Sequence, residues 1–587
     1  MGDIANGEQA TMPSIESASP LRTPTEEEIP PVVSNDVDPD LEMEEVHRMN
    51  PRKELLDDGF VTLSEAQGAV NDMTIQLQYV TKMELFFKQL LARKKDIESL
   101  VASHCGLSNT ELVRMADPIG PDKKKAWPRG CFNVCIPIEI NNVGLNLPAK
   151  LAFRVPLPFM LGEEHFPGNE EEKVRTEAAT YIWIKENCPD VPIPKLWGFG
   201  LPGGRSFFLP PAVSLWQRCT TFFRRLVCRL NGSPRFSEYI PQPRSWLTER
   251  GYVLIDWVGD DGTRILSDTF YKPHTKKQTR NLYRSLSKIM LSVARIPQRR
   301  IGSWCIDDEG RISLSNRPLF SHLHQFENEG VPGGIRPKTT YNNAESLYLD
   351  ILDSHDNRLR EKMNATPDEL ETRSQAKDIL LMRALLRQFT DRRLANGPFA
   401  MQLTDVHASN IFVDKNWNIK HLIDIEWACS LPVASLLPPF WLTNRYPLEL
   451  CGPEVDRFKL CYDEFMDIFE EEEEITPLYY KGRCHYRAPA MRTALDSGRF
   501  FYYHALQIPL GIHDIFRDQL EPKYDEAPRD AIITGVSTFW APKMKSVVAS
   551  KIRDFKDYQG RVRRVFESTR SGIPYIDAEK IKPNTRK

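Results

Sequence analysis

The sequence predicts an α+β protein with two lobes, a small strand-rich one followed by a larger helical one. Three observations carry this. Strand-like stretches cluster between Asn133 and Val258, residues from 278 onward are mostly helical with a few short strand-like pieces, and no internal repeat is visible. Strands first and helices second is the pattern of a fold in which the two kinds of element are segregated.

The elements follow in chain order. Residues 1–50 carry twelve acidic and two basic side chains, a net of −10, with many Pro and Ser and few aromatics. Such a segment cannot bury enough apolar surface to offset chain entropy, so disorder is expected. Residues 51–120 form a helical extension. Within it, Leu77, Tyr79, Met83, Leu85, Phe86, Leu90 and Leu91 recur at helical spacing between Ser64 and His104. One or two amphipathic helices packed on the next domain are expected, with a partner-binding coiled coil as the alternative. The strand-rich lobe spans 121–258. In it, Val134–Ile140 and Lys150–Val155 flank a turn at Asn141–Gly144, which reads as a β-hairpin. Residues 170–187 read as a helix with Val174, Ala178, Tyr181, Ile182 and Ile184 on its apolar side, ended by Pro189, Pro192 and Pro194. Leu196–Phe199 and Tyr252–Val258 form a second strand pair. The segment between them, 201–250, is too long for a hairpin loop and reads as an insertion. It contains the basic aromatic stretch Phe222–Arg229, expected to be a helix whose aromatics cover the domain, with an anionic membrane surface as the other reading. The helical lobe spans 259–540. Residues 541–587 are expected to be a solvated basic tail, since 543–587 hold thirteen basic and five acidic side chains, a net of +8.

Composition narrows the class. The hydrophobic and charged fractions of 41% and 27% are those of a soluble globular protein, and a net charge of −3 gives no reason to expect nucleic acid. No apolar run is long enough for a membrane-spanning helix. The polar start Met1–Asn6 is no signal peptide, and neither terminus carries a lipidation box. Eleven scattered cysteines, with Cys131 and Cys135 lacking a second pair to complete a zinc site, point to reduced thiols and a cytoplasmic protein.

The most informative segment is Leu403-Thr404-Asp405-Val406-His407-Ala408-Ser409-Asn410-Ile411, followed by Ile423-Asp424-Ile425-Glu426-Trp427-Ala428. Two acids and an amide flank two short apolar strands joined by a turn at Asp414–Trp417, so Asp405, Asn410 and Asp424 can converge. Phosphoryl transfer needs such a set. Its transition state is mostly charge on phosphoryl oxygens, so a carboxylate takes the acceptor's proton while an amide oxygen and a second carboxylate hold magnesium. The Asp–Asn–Asp spacing matches a kinase catalytic loop and metal-binding aspartate.

These residues resemble the aminoglycoside phosphotransferase family, most closely its fungal branch. The resemblance spans roughly residues 125–440 and includes Phe153-Arg154-Val155-Pro156, Pro192-Ile193-Pro194 before Trp197-Gly198, and Ile301-Gly302-Ser303-Trp304 preceding Asn316-Arg317-Pro318-Leu319. It implies a bilobal protein-kinase-like fold with ATP between the lobes and a small molecule as phosphoryl acceptor. By position, Asp405 resembles the catalytic base, and Asn410 and Asp424 the magnesium ligands. Arg154 takes the place of the cation that clamps the ATP phosphates, usually Lys, and Glu177 that of its acidic partner. Gly130-Cys131-Phe132-Asn133 falls where the phosphate-covering turn lies, making Gly130 and Asn133 candidates. Ile255-Asp256-Trp257 corresponds to the hinge along the adenine. Leu403 departs from the family's usual His, the covering turn has a single Gly, and Glu426 reads equally as a supporting acid or a surface carboxylate. His407 is expected to brace its own loop. Glu470–Glu474 is expected to be solvated rather than to attract a cationic substrate. A protein kinase is disfavoured, because no Ala-Pro-Glu element follows Asp424. The second reading is a catalytically weak or inactive kinase-like module that binds nucleotide or scaffolds.

Overall fold

The computed structural model describes residues 52–56, 59–119, 126–141, 147–230, 236–480, 482–524 and 529–570. The disorder expected of residues 1–50 and most of the turn at Asn141–Gly144 lie outside them.

An antiparallel sheet of seven strands organises the first half of the chain: β1 (Val113–Met115), β2 (Asn133–Ile140), β3 (Lys150–Pro156), β4 (Leu196–Leu201), β5 (Arg205–Phe208), β6 (Ile240–Pro243) and β7 (Tyr252–Asp256). Their spatial order is β1-β2-β3-β7-β4-β5-β6. The expected hairpin is β2 with β3, Cys135 facing Arg154 across the ladder, and the expected second pair is β4 with β7, Phe199 facing Val253. The stretch between that pair contributes β5 and β6 to the sheet edge and, between them, a helix at Leu215–Leu230 (α4).

The sheet is buried on both faces, and the two-residue period of its strands decides what each face holds. Leu151, Phe153 and Val155 of β3 point toward α1 (Tyr79–Ala92) and α2 (Lys94–His104), packing with Phe86, Leu90, Leu100 and Val101. Each such side chain contributes about 1.5–3 kcal/mol. Two further short helices, Leu63–Gly68 and Met73–Gln76, precede α1, so the expected helical run is broken into four. One break is explained by Asp72, whose carboxylate accepts the Thr74 N–H at 2.9 Å and caps a new start. Leu85 and Leu91, counted in the apolar stripe, are exposed.

Ala152 and Arg154 point the other way, toward α3 (Asn169–Asn187). Val174, Ala178 and Ile182 of α3 share a core with Ala152, Val253 and Ile255. The start of α3 is fixed by the buried Arg317, which donates to Glu172 at 2.8 Å and to Glu327 at 2.6 Å.

The second half is mainly helical. Helix α5 (Lys276–Val293) packs against α6 (Pro453–Ile475). Two three-stranded sheets lie in this half, beside two two-stranded pairings. One joins β8 (Arg264–Ile265), β10 (Ile411–Val413) and β11 (Ile419–Leu422). The other joins Pro297–Gln298, β9 (Phe399–Leu403) and β12 (Ala428–Pro432).

The basic segment expected to be a solvated tail is instead the helix α7 (Met544–Arg570) through residue 570. Tyr558, Val562 and Phe566 pack with Val61, Ala66 and Met73, while Met544 and Val548 join Leu359, Ala376 and Ile379. The Tyr558 hydroxyl accepts the Met73 N–H at 3.1 Å. Its Lys and Arg residues leave an apolar stripe at helical spacing, and that stripe docks the helix.

Candidate active site

Two ladder ends bring the candidate site segments together. At one, Leu403 of β9 pairs with Ala428 of β12, and Thr404 continues the contact with its N–H 3.0 Å and its hydroxyl 2.6 Å from the Trp427 carbonyl. At the other, Ile411 of β10 pairs with Leu422 of β11, and the Ile423 N–H donates to the Asn410 carbonyl at 3.0 Å. Residues 404–410 and 423–427 are therefore held opposite each other.

The loop carrying Asp405 and Asn410 is tied from within. Asn410 Nδ2 donates to the Asp405 carbonyl at 3.0 Å and to His407 Nε2 at 3.1 Å. This contact fixes the Asn410 amide so that Oδ1 accepts from none of the described residues. Burial pushes His407 down to about 4, so it is neutral and braces the loop. The Trp441 indole N–H holds the loop from outside, on the Val406 carbonyl at 2.8 Å.

Asp424 lies two residues beyond β11 in the left-handed region, at φ 53°. A non-glycine residue there is strained by about 1–2 kcal/mol, and such strain persists only where neighbours over-determine it. The determinant is Arg154, whose Nη2 binds Asp424 Oδ1 in a short ion pair and Glu426 Oε2 at 2.9 Å, while Nη1 lies 3.0 Å from Glu177 Oε1. Asp424 Oδ2 is engaged by none of the described residues.

Sequence reasoning did not single out Lys173. It sits one turn before Glu177 on α3, fully buried, with Nζ 2.8 Å from Asn133 Oδ1, 2.9 Å from Glu426 Oε2 and 3.2 Å from Glu177 Oε2. The available signal was a Lys four residues ahead of an acid on a helix that is otherwise apolar on that side. Glu426, read equally as a surface carboxylate, is buried, and its Oε2 accepts from Asn133 Nδ2 at 2.7 Å as well as from Arg154 and Lys173.

The cluster thus holds three carboxylates against two cations. Burial would raise Glu426, but Lys173 and Arg154 outweigh it and hold the carboxyl below its ordinary value. Asp424 is raised by burial and by Glu426 and Glu177, more than Arg154 lowers it. Asp405, half-buried, is pushed well above the usual carboxylate range by burial and then by the Glu426 and Asp424 charges.

The remaining predicted residues are placed differently. Gly130 is exposed, and its N–H closes a turn on the Asn133 carbonyl at 3.0 Å. The turn itself is anchored to the site, because Asn133 reaches Glu426 and the Phe132 ring meets Trp427 edge-on at 5.0 Å. Asp256 lies outside the charge cluster. Its carboxylate accepts from the Lys195 N–H at 3.1 Å and the Trp197 indole at 2.7 Å, joining β7 to β4. The Trp257 indole donates to Asp260 at 3.1 Å, and Lys150 Nζ lies 3.9 Å from its ring centre. The acidic run Glu470–Glu473 is neutralised from elsewhere in the fold: Arg492 meets Glu470, Arg284 meets Glu471 and Glu472, and Arg487 meets Glu473.

The donor set is compatible with magnesium. Asn410 Oδ1 and Asp424 Oδ2 are hard oxygens left without a partner among the described residues. Among the described residues, no group of three or more His, Cys, Asp or Glu could hold a metal ion. Magnesium suits the sparser set, because it keeps waters and phosphate oxygens and takes few protein ligands.

No family model and no curated protein matches the chain. Solved structures with some likeness include a protein provisionally described as an aminoglycoside phosphotransferase from Ralstonia eutropha JMP134, 10% identical with a TM-score of 0.34, the match covering 79% of this chain and 98% of that one. A macrolide 2'-phosphotransferase type I is 11% identical with a TM-score of 0.28, over 70% of this chain and 95% of that one. A Plasmodium vivax ethanolamine kinase is 10% identical with a TM-score of 0.29, over 79% and 85%.

Proposed function

We propose that the chain is an ATP-dependent phosphotransferase of kinase-like, two-lobed build that acts in the cytoplasm on a hydroxyl or amine of a small molecule. One observation carries the reading: a cation on the central sheet, Arg154, is ion-paired at once to an acid on the adjoining helix, Glu177, and to Asp424 at the base of the hairpin that bears Asn410. A buried arginine shared among three carboxylates is costly to desolvate, and grouped charges of this kind cluster at functional sites.

Asp405 is the base. Its raised proton affinity suits it to take the proton from the acceptor's hydroxyl as that oxygen bonds to phosphorus and the bond to the leaving nucleotide breaks. Asn410 and Asp424 would hold magnesium, and bound ATP and magnesium would supply the phosphoryl group and neutralise its charge. Arg154 would offer its always charged guanidinium to phosphate oxygens in exchange for Asp424, while Glu177 and Glu426, themselves bound by Lys173, keep it in place. Phe132 and Asn133 set the turn that closes over the same place.

The test is an untargeted search, with ATP and magnesium, for metabolites that gain a phosphoryl group. Asp405→Asn should slow every such reaction by about a hundredfold or more, and Asp424→Ala should abolish it. Undiminished turnover in Asp405→Asn would discard the reading.

A further inference from the structure

We infer that α4 (Leu215–Leu230) is a docking helix that lies flat on an anionic lipid surface. The helix is mounted inside out. Leu215, Trp216, Phe222, Phe223 and Val227 are between 56% and 77% exposed, whereas Gln217, Arg218, Thr221 and Arg225 on the other side are half-buried against the protein. The polar side makes the attachments. Gln217 Nε2 donates to Gln242 of β6 at 2.8 Å, and Arg218 donates to the carbonyls of Val213 at 3.1 Å and Pro211 at 2.7 Å. Ser214 caps the start through Gln217. A surface helix of a soluble domain turns its apolar stripe to the core. Here that stripe faces outward, and a contiguous exposed apolar patch marks an interaction surface.

Charge identifies the occupant. The helix contains Arg218, Arg224, Arg225 and Arg229 and no acid. Arg224 is exposed beside Phe223, and Arg218 is bound to neutral carbonyls, so its charge is not cancelled there. Glu238 and Glu186 are the acids whose fields reach Arg225, whose Nε and Nη2 have no hydrogen-bond partner among the described residues. An apolar face bordered by arginine is what an anionic bilayer surface attracts. The chain enters from β5 and returns to β6, and the polar side is against the protein, so the apolar face is the one left free, which is the face a membrane plane takes. No helix among the described residues is long and apolar enough to cross a membrane, so the contact is interfacial.

The experiment is co-sedimentation of the full chain with vesicles of phosphatidylcholine alone and of phosphatidylcholine with phosphatidylserine. Binding is expected on the anionic vesicles and should fall with added salt. Phe222→Ser with Phe223→Ser should weaken it by about tenfold or more, and Arg224→Gln by about fivefold. Because these side chains are exposed, both variants should keep the parent's unfolding temperature. Equal affinity for neutral vesicles, no binding to either, or binding indifferent to the substitutions would overturn the inference. So would self-association dissolved by the same serines, which would assign the face to a second copy.

Discussion

Replacing Lys173 by methionine tests the electrostatic logic of the site, because methionine keeps an unbranched apolar stem and removes the ammonium with its charge and hydrogen bonds. The ammonium is fully buried, with partners at 2.8, 2.9 and 3.2 Å. Without it, Glu177, Glu426 and Asp424 share the single guanidinium of Arg154, and the excess of negative charge rises from one to two. Breaking a buried pair costs about 3–5 kcal/mol, since the remaining partner stays out of water. Arg154 keeps its contacts at 2.9 Å with Glu426 and 3.0 Å with Glu177, which places the loss at the lower end, about 3 kcal/mol. Against a typical stability of about 5–15 kcal/mol this is a large fraction. Urea unfolding followed by tryptophan fluorescence measures it. Adding Glu426→Gln removes one of the stranded charges and should recover about 1–2 kcal/mol. A loss below about 1 kcal/mol, or a double variant less stable than Lys173→Met alone, would refute the argument.

Two further outcomes follow from buried groups away from the site. Glu170 accepts the Gly251 N–H at 2.6 Å and is raised to about 7 by burial, which outweighs that bond and Arg250. The folded protein then holds a proton that the unfolded chain releases, so this group's contribution is full below about pH 4.5 and is lost as pH rises to 7. Glu170→Gln should flatten the unfolding temperature over that window by the equivalent of about 3 kcal/mol, and an unchanged slope would count against it. Gly198 leaves no room for a methyl group, which would strike the His104 ring and sit 2.8 Å from the Phe207 carbonyl. His104 cannot yield, being bonded to the Tyr252 hydroxyl at 2.7 Å and stacked on Phe208. Gly198→Ala should therefore cost about 1–3 kcal/mol by thermal melting, and a neutral result would mean that His104 can move.

What was legible depended on how local the cause is. The hairpin that carries Asn410 and Asp424 could be read because its strands, turn and acids lie within about twenty residues. Arg154 was placed by the family resemblance alone, and the alternation of β3 seen in the fold turns it away from Phe153. Lys173 and the inward position of Glu426 escaped because they depend on a meeting of α3, the 130–133 turn and the 423–427 segment, which no spacing encodes. The basic aromatic stretch of α4 was visible, but not which side would meet the protein. The default of apolar side inward fails there because the polar side bonds to β6 and to the backbone at Pro211 and Val213. Counting charges misled at the C-terminus, where an apolar stripe along α7 outweighs the surplus of lysine and arginine. It misled again over Glu470–Glu473, whose arginine partners come from positions 284, 487 and 492.

The tie between Asn133 and Glu426 has a mechanical consequence. A single carboxylate oxygen is the meeting point for side chains from β2, β3 and α3 and from the segment that bears Asp424, and the Phe132 ring is keyed against Trp427 a few ångströms away. Roof and floor are therefore riveted together, and the turn cannot swing as a free flap without tearing a buried charged junction. The outer part of the turn, at Gly130 and Cys131, stays exposed, while its inner half stands as a fixed wall.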